Sequence, residues 1–320
     1  MKKIKLLYSY AISELSDKFN LLSFMESWSF PPSNILSLAI KNINIKSVDY
    51  MEVDGCQTAR VETYDGLSFL GPVKKEELLC GGFSLRRIKK LITKELNLDT
   101  LVGDAQAALI HNLSLRYILE FSSYPYWAVR TSNLRAGDTF VDIGAFRGYV
   151  SIKASLKVGS EGKVIAIEPI EKNIKFIKEQ KKINNLSQLE IIESVFSISE
   201  TNEVDFYRTE NQANSEVKEH INANAKKIVL SSTSITDLSN RIKDIGSTRV
   251  IISLTTNGTE VDLLIPLLKS LKEIKTPYVE IIIPIIYIKD EINNVIEKSR
   301  IDNISVTLRY PWLIVIMANK

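Results

Sequence analysis

The sequence predicts an α/β protein, with a doubly wound, mostly parallel sheet that ends in a C-terminal antiparallel hairpin and follows a smaller α+β N-terminal region. Three observations carry this expectation. From about residue 131 onward, short β-branched runs alternate with segments of helix length, the pattern of successive βαβ units. The runs are apolar along their whole length rather than at every second residue, as strands covered on both faces are. The last two runs, Ile304–Arg309 and Trp312–Met317, are joined only by Tyr310-Pro311, too short a link for a parallel crossover.

Residues 1–130 form the expected accessory region. There MEVDGCQTARVETYDGLSFLGP alternates weakly and carries Asp54-Gly55 and Asp65-Gly66, dipeptides favoured in tight hairpin turns. Leu85–Leu98 and Ala105–Phe121 have helical spacing. In the second domain, residues 131–320, the expected strands are Thr139–Ile143, Lys163–Ile167, Leu189–Ile192, Val204–Arg208, Val250–Leu254 and Val279–Ile283. Helices are expected at Tyr149–Val158, Ile170–Ile183 and Thr259–Leu271, with Pro169 at the first helical position of the second.

Composition narrows the class of function. The chain of 320 residues is 45% hydrophobic and 25% charged, enough for a sizeable core. A net charge of +3 does not announce a nucleic-acid partner. The basic cluster Arg86, Arg87, Lys89, Lys90 and Lys94 reads as a solvated helix face. Two cysteines, Cys56 and Cys80, form no disulfide framework and no zinc pattern, which suits a reducing cytoplasm. The N-terminal MKKIKLLYSYAI begins like a secretory leader, but Ser9, Ser13, Glu14 and Asp17 break the pattern, so mature protein is expected. No apolar run reaches the roughly 20 residues of a spanning helix, so a soluble, cytoplasmic protein is expected.

The chemistry is expected at VDIGAFRGY, Val141–Tyr149, a strand that stops at a glycine turn and opens a helix. A dinucleotide turn reads G-x-G-x-x-G and offers backbone N–H groups to a pyrophosphate. Here Gly144 and Gly148 are separated by three residues, and Asp142 stands just before the turn, where its charge would repel a pyrophosphate. A carboxylate there suits an ammonium or sulfonium, and S-adenosylmethionine carries both. Its amino-acid moiety could lie over the turn, at Gly144, Ala145 and Gly148, where glycine lets the backbone approach closely. Glu168-Pro169 ends the next strand, where an acid can accept ribose hydroxyls, and Glu193-Ser194-Val195 falls where an adenine ring would lie. A second role is open to Glu168, that of an acid capping the following helix.

VDIGAFRGY, GKVIAIEPIEKNIKFIKEQKKINNL and SITDL together resemble the motifs of the FkbM family of methyltransferases over about Ala136–Glu280. The resemblance implies a class I methyltransferase fold and methyl transfer from S-adenosylmethionine to a hydroxyl of a sugar, glycan or other small molecule. Asp142, Gly144, Ala145, Gly148, Glu168 and Pro169 match its cofactor motifs, while Arg147 stands where the family often has an apolar residue. The fourth strand departs further. A family pattern like KiDvEGaE is here SLTTNGTE, with Ser253, Thr255 and Asn257 in place of lysine, aspartate and glutamate. Glu260 is then the remaining candidate for a general base, and Thr255 and Asn257 are candidates for substrate hydrogen bonds. Glu260 equally reads as a first-turn acid of the following helix, and Asn257-Gly258 as a turn. His220 reads as a surface residue and His111 as part of an amphipathic helix pattern, neither as a base. Tyr124, Tyr126 and Trp127 could cover the adenosine or close a substrate pocket, and packing at a domain junction is the commoner role of such aromatics. Two rival readings stand beside this one: a degenerate cofactor-binding or structural module, and an NAD-dependent oxidoreductase, which Asp142 and the shifted glycine disfavour.

Overall fold

The computed structural model describes residues 45–63, 66–72, 130–208, 225–256, 258–284, 301–309 and 312–318. The helical patterns at Leu85–Leu98 and Ala105–Phe121, the basic cluster, both histidines, Tyr124, Tyr126, Trp127 and Asn257 lie outside these residues. The chain divides into two compact units, residues 1–132 with 178–185, and residues 133–177 with 186–320.

In the first unit, β1 (Ile45–Val53), β2 (Cys56–Thr63) and β3 (Ser68–Pro72) make an antiparallel sheet in that order. Val53 pairs with Cys56, so Asp54-Gly55 is a two-residue turn, and both of its residues have positive φ, 53° and 71°. Such a turn matches the right-handed twist of the two strands it joins.

The second unit holds the rest. Its elements are β4 (Thr139–Ile143), α1 (Tyr149–Val158), β5 (Lys163–Ile167), α2 (Glu171–Ile183), β6 (Leu189–Ile192), β7 (Val195–Ser197), β8 (Glu203–Arg208), β9 (Lys226–Ser234), α3 (Ile235–Ile245), β10 (Arg249–Leu254), α4 (Glu260–Glu273), β11 (Tyr278–Pro284), β12 (Ile304–Arg309) and β13 (Trp312–Ala318). The end of α2 groups with the first unit. Seven strands form one sheet in the order β12-β13-β11-β10-β4-β5-β6. Neighbours from β11 to β6 are parallel, and β13 runs antiparallel to both β11 and β12. The predicted terminal hairpin is therefore present, and the sheet inserts β13 between β11 and β12.

Side chains alternate across each strand, and the alternation builds two covered faces. Val141 and Ile143 of β4 join Ile165, Ile167, Ile252, Leu254, Ile281 and Ile283 in one buried cluster with Leu238 and Ile242 of α3 and Leu264, Leu267 and Leu271 of α4. Phe140 and Asp142 point to the opposite face, where Ser151 of α1 meets Asp142. Helices thus cover both faces, and this is why the strands read as continuous apolar runs.

Three elements, β7, β9 and α3, lie where no strand or helix is predicted. β9 pairs with β7 and β8 in a separate small sheet, and α3 follows it directly. Ser234 Oγ accepts the Asp237 N–H while Asp237 accepts the Ser234 N–H, a reciprocal cap that fixes the start of α3. Pro169 is not the first helical residue. α2 begins at Glu171, and the Ile170 carbonyl accepts the N–H groups of Asn173 and Ile174.

Within the first unit, helix-borne amides satisfy the outer edge of β3. Ser68 N–H donates to Asn184 Oδ1 (2.6 Å), Leu70 N–H donates to Gln180 Oε1 (3.0 Å), and Asn184 Nδ2 donates to the Ser68 carbonyl (2.7 Å). Four residues along a helix rise about 6 Å and two along a strand about 6.7 Å, so Gln180 and Asn184 match alternate strand residues. Among the described residues, no helix is long and apolar enough to cross a membrane.

Candidate functional site

The chain leaves β4 toward β5 and β6, then returns to the other side of β4 to lay down β10. Connections therefore diverge at the carboxyl ends of β4 and β10, the topological switch point where open α/β sheets bind ligands. The 142–148 turn sits at this point.

The turn is held almost entirely by its own surroundings. Gly144 and Ala145 both donate their N–H to the Ile167 carbonyl (3.0 Å each), Phe146 N–H donates to Glu168 Oε2 (2.8 Å), and Gly148 N–H donates to the Ala145 carbonyl (2.8 Å). Gly144 and Gly148 have φ of 76° and 78°. A Cβ on Gly144 would lie 2.1 Å from the Thr255 carbonyl oxygen, and one on Gly148 would lie 2.9 Å from Ile177. Both positions therefore need glycine for conformation and for room. Phe146 also has positive φ, 54°, a conformation that costs a non-glycine residue of order 1–3 kcal/mol and clusters at ligand clamps.

Asp142 is 1% exposed, and its Oδ2 accepts the Ser151 hydroxyl at 2.7 Å. The carboxylate lies beneath the turn and ties it to α1. Arg147 is 0% exposed, with its guanidinium carbon 5.2 Å from the Phe146 ring centre and 4.7 Å from that of Phe176. The Arg147 cation is thus stacked between aromatic rings.

Glu168 is 4% exposed and joins the end of β5 to the turn. Besides Phe146 N–H, it accepts Ile170 N–H (3.1 Å) and Asn173 Nδ2 (2.9 Å) at Oε1. It therefore serves the turn and the entry to α2 at once. Burial pushes its carboxyl up to about 7, the three hydrogen bonds oppose this, and the Asp142 charge adds to the rise. A raised carboxyl has a definite sign in linkage. Between its unfolded value of 4.5 and about 7 the folded protein holds a proton that the unfolded chain has released. Stability contributed by this group is therefore full below 4.5, falls as pH rises through the window, and is level above about 7. Urea midpoints of the wild type should fall between pH 5 and pH 8 by more than those of Glu168→Gln. Equal slopes would place Glu168 in water.

The fourth-strand candidates are occupied with structure. Thr255 Oγ1 donates to the carbonyls of Ile143 (3.0 Å) and Gly144 (3.3 Å), so its hydroxyl clips β10 to the glycine turn. Glu260 is 0% exposed, with Oε1 accepting Thr256 N–H and Oε2 accepting Gly258 N–H, each at 2.7 Å. It is the first residue of α4 and shapes the loop that enters the helix. Ser253 is buried beside Asp142 across the β4–β10 pairing. Ser194 Oγ is hydrogen-bonded to Thr233 Oγ1 (2.6 Å), and Val195 packs with Ile170 and Phe206. The structure thus gathers Asp142, Gly144, Ala145, Gly148, Glu168 and Thr255 at the switch point. Pro169 is half-buried between Glu168 and Ile170, and Ser194 and Val195 turn to the small β7–β9–β8 sheet. Ser151 and Asn173 are the partners sequence reasoning missed. An asparagine in the first turn after Glu168-Pro169 was the available signal for the second.

No protein-family model matches this sequence, and no curated protein matches it. Among solved structures, the chain is similar to a SAM-dependent methyltransferase from Aquifex aeolicus, with 17% identity over 73% of this chain and 97% of that one, at a TM-score of 0.35. It is also similar to an O-methyltransferase from Bacillus cereus in complex with SAH, with 13% identity over 76% and 94% of the two chains, at a TM-score of 0.36. Agreement this loose says nothing of ligand or reaction. The chain's own strand order, with one inserted antiparallel strand, is that of the class I methyltransferase fold.

Proposed function

We propose that this chain binds S-adenosylmethionine at the 142–148 turn and, in the manner of the FkbM family it resembles, methylates a hydroxyl of a sugar or other small molecule. The observation that carries the reading is the state of the turn. The N–H groups of Gly144, Ala145, Phe146 and Gly148 are engaged inside the protein, while Asp142 lies beneath them and Glu168 beside them. A pyrophosphate would meet acids there and none of those four donors, which disfavours a dinucleotide. A cationic, phosphate-free ligand fits that set.

When bound, S-adenosylmethionine supplies an electrophilic methyl on a sulfonium. The chain's part is to bind and orient at the switch point and to exclude water. Thr255 holds the turn against β10, Glu260 holds the loop into α4, and Asp142 and Glu168 supply the negative field. Residues 131–320 carry this activity in our reading, with residues 1–130 as an accessory region of a soluble, cytoplasmic protein. A second reading, a cofactor-binding or structural module without turnover, is favoured by the internal engagement of both Thr255 and Glu260.

Calorimetric titration with S-adenosylmethionine tests the proposal, beside Asp142→Asn, which keeps an acceptor for Ser151 and removes the charge. Binding near 1 μM, about −8 kcal/mol, is expected in the wild type, and at least a tenfold loss in the variant. Tighter binding of NADH, or no binding by folded protein, would overturn it. Binding without methyl transfer across a panel of hydroxyl acceptors would select the second reading.

A further inference from the structure

The Glu168 carboxylate has about four lone-pair positions in all. Ile170 N–H and Asn173 Nδ2 take two on Oε1, and Phe146 N–H takes one on Oε2. One position remains, on the same oxygen that holds the turn. A ribose placed here can hand Glu168 one hydroxyl proton, not two, unless a protein bond is released. The direction of that remaining lone pair is fixed by the two donors on the opposite oxygen. One of those is backbone. The other is a side chain, Asn173, which is itself 7% exposed and so is confined to this contact.

We propose that Asn173 is a positioning residue for the cofactor site: its amide favours the ionised form of Glu168 against burial and aims the free lone pair of Oε2 at the ligand. The inference rests on the reading that the turn holds S-adenosylmethionine, and it names a determinant that this reading does not contain. Burial and the Asp142 charge on β4 both favour the protonated carboxyl, so the hydrogen bonds are what hold the charge on Glu168. The other charged groups nearby are placed differently. Arg147 stacks on Phe146 and Phe176, Glu193 beyond β6 is exposed, and Glu171 on the same helix faces Lys175 at the surface. Removing the Asn173 donor leaves two backbone donors against burial. Glu168 then takes up a proton at higher pH and presents an O–H where the ribose hydroxyl needs an acceptor.

The test uses the full chain with Asn173→Ala and the isosteric Asn173→Asp, which keeps shape and replaces the donor with a second acid. Two quantities are measured from pH 6 to pH 9: the carbon-13 carboxyl titration of Glu168 without ligand, and the affinity for S-adenosylmethionine. Both variants should raise the titration midpoint by a pH unit or more, with Asn173→Asp the larger. Affinity should fall about tenfold at pH 7 and return toward wild type at pH 9, in step with the midpoint. An unchanged midpoint overturns the proposal, as does an affinity lowered equally at every pH, which a purely structural loss would give. If the wild type fails to bind S-adenosylmethionine at all, the cofactor reading falls. The ligand-free titration then still decides whether Asn173 controls the charge of Glu168.

Discussion

Gly144→Ala should destabilise the protein by about 3–5 kcal/mol and lower its melting temperature by roughly 10 °C. Two causes add. A side chain at φ 76° is strained, and the new Cβ would lie 2.1 Å from the Thr255 carbonyl oxygen and 3.0 Å from its carbon. Backbone cannot yield as the end of a flexible side chain can, so either the turn or the β4–β10 pairing must open. Gly55→Ala is the matched control. It has nearly the same φ, 71°, but nothing within 4 Å of its Cβ, and should cost only about 1 kcal/mol. Thermal melts of the two variants separate strain from contact, and equal losses would deny the close approach of Thr255 to the turn.

Glu260→Ala should cost about 3 kcal/mol, because it removes a fully buried carboxylate that accepts the N–H groups of Thr256 and Gly258. Glu260→Gln should lose less, since its amide oxygen keeps one of the two contacts. A general base behaves differently: the glutamine variant would melt like the wild type and fail only in turnover. Melting curves of both variants, with methyl transfer measured on whatever folds, decide between a loop-shaping residue and a base.

Much of this arrangement was legible in the sequence, and the reason is physical. Strands covered on both faces write their burial into every residue, so Thr139–Ile143 and Lys163–Ile167 stand out without an alignment. Glycine and the Asp54-Gly55 pair announce positive φ in the same direct way. β9 was hidden because exposed and half-buried residues alternate from Lys227 to Ser232 and its apolar run is only three residues long, Ile228–Leu230. The cap of α3 was in plain view as Ser234 and Asp237 three residues apart, a spacing with a known mechanism. The roles of Thr255 and Glu260 were not legible. Thr255 is 112 positions from the carbonyl it clips, and no local pattern tells whether a hydroxyl after a strand points to solvent or back across the sheet. Residue type placed both at the site; only the third dimension shows that their hydrogen-bonding groups are committed to the backbone.

The amide-lined rim of β3 has one further consequence. A β-strand whose outer N–H and C=O groups stay open is a template on which a strand from another molecule can add, and the addition repeats into aggregates. Proteins commonly guard such rims with charge, proline or a bulge. Here two neutral side chains, Gln180 and Asn184, occupy the positions an incoming backbone would take. The protection is therefore insensitive to salt and to pH, and it is exposed instead to a slow chemical change. Deamidation of Asn184 to aspartate would remove the donor that meets the Ser68 carbonyl and would bring a charge to the rim. Ageing of the purified protein, followed by mass and by light scattering together, would show whether self-association begins with that single exchange of an amide nitrogen for oxygen.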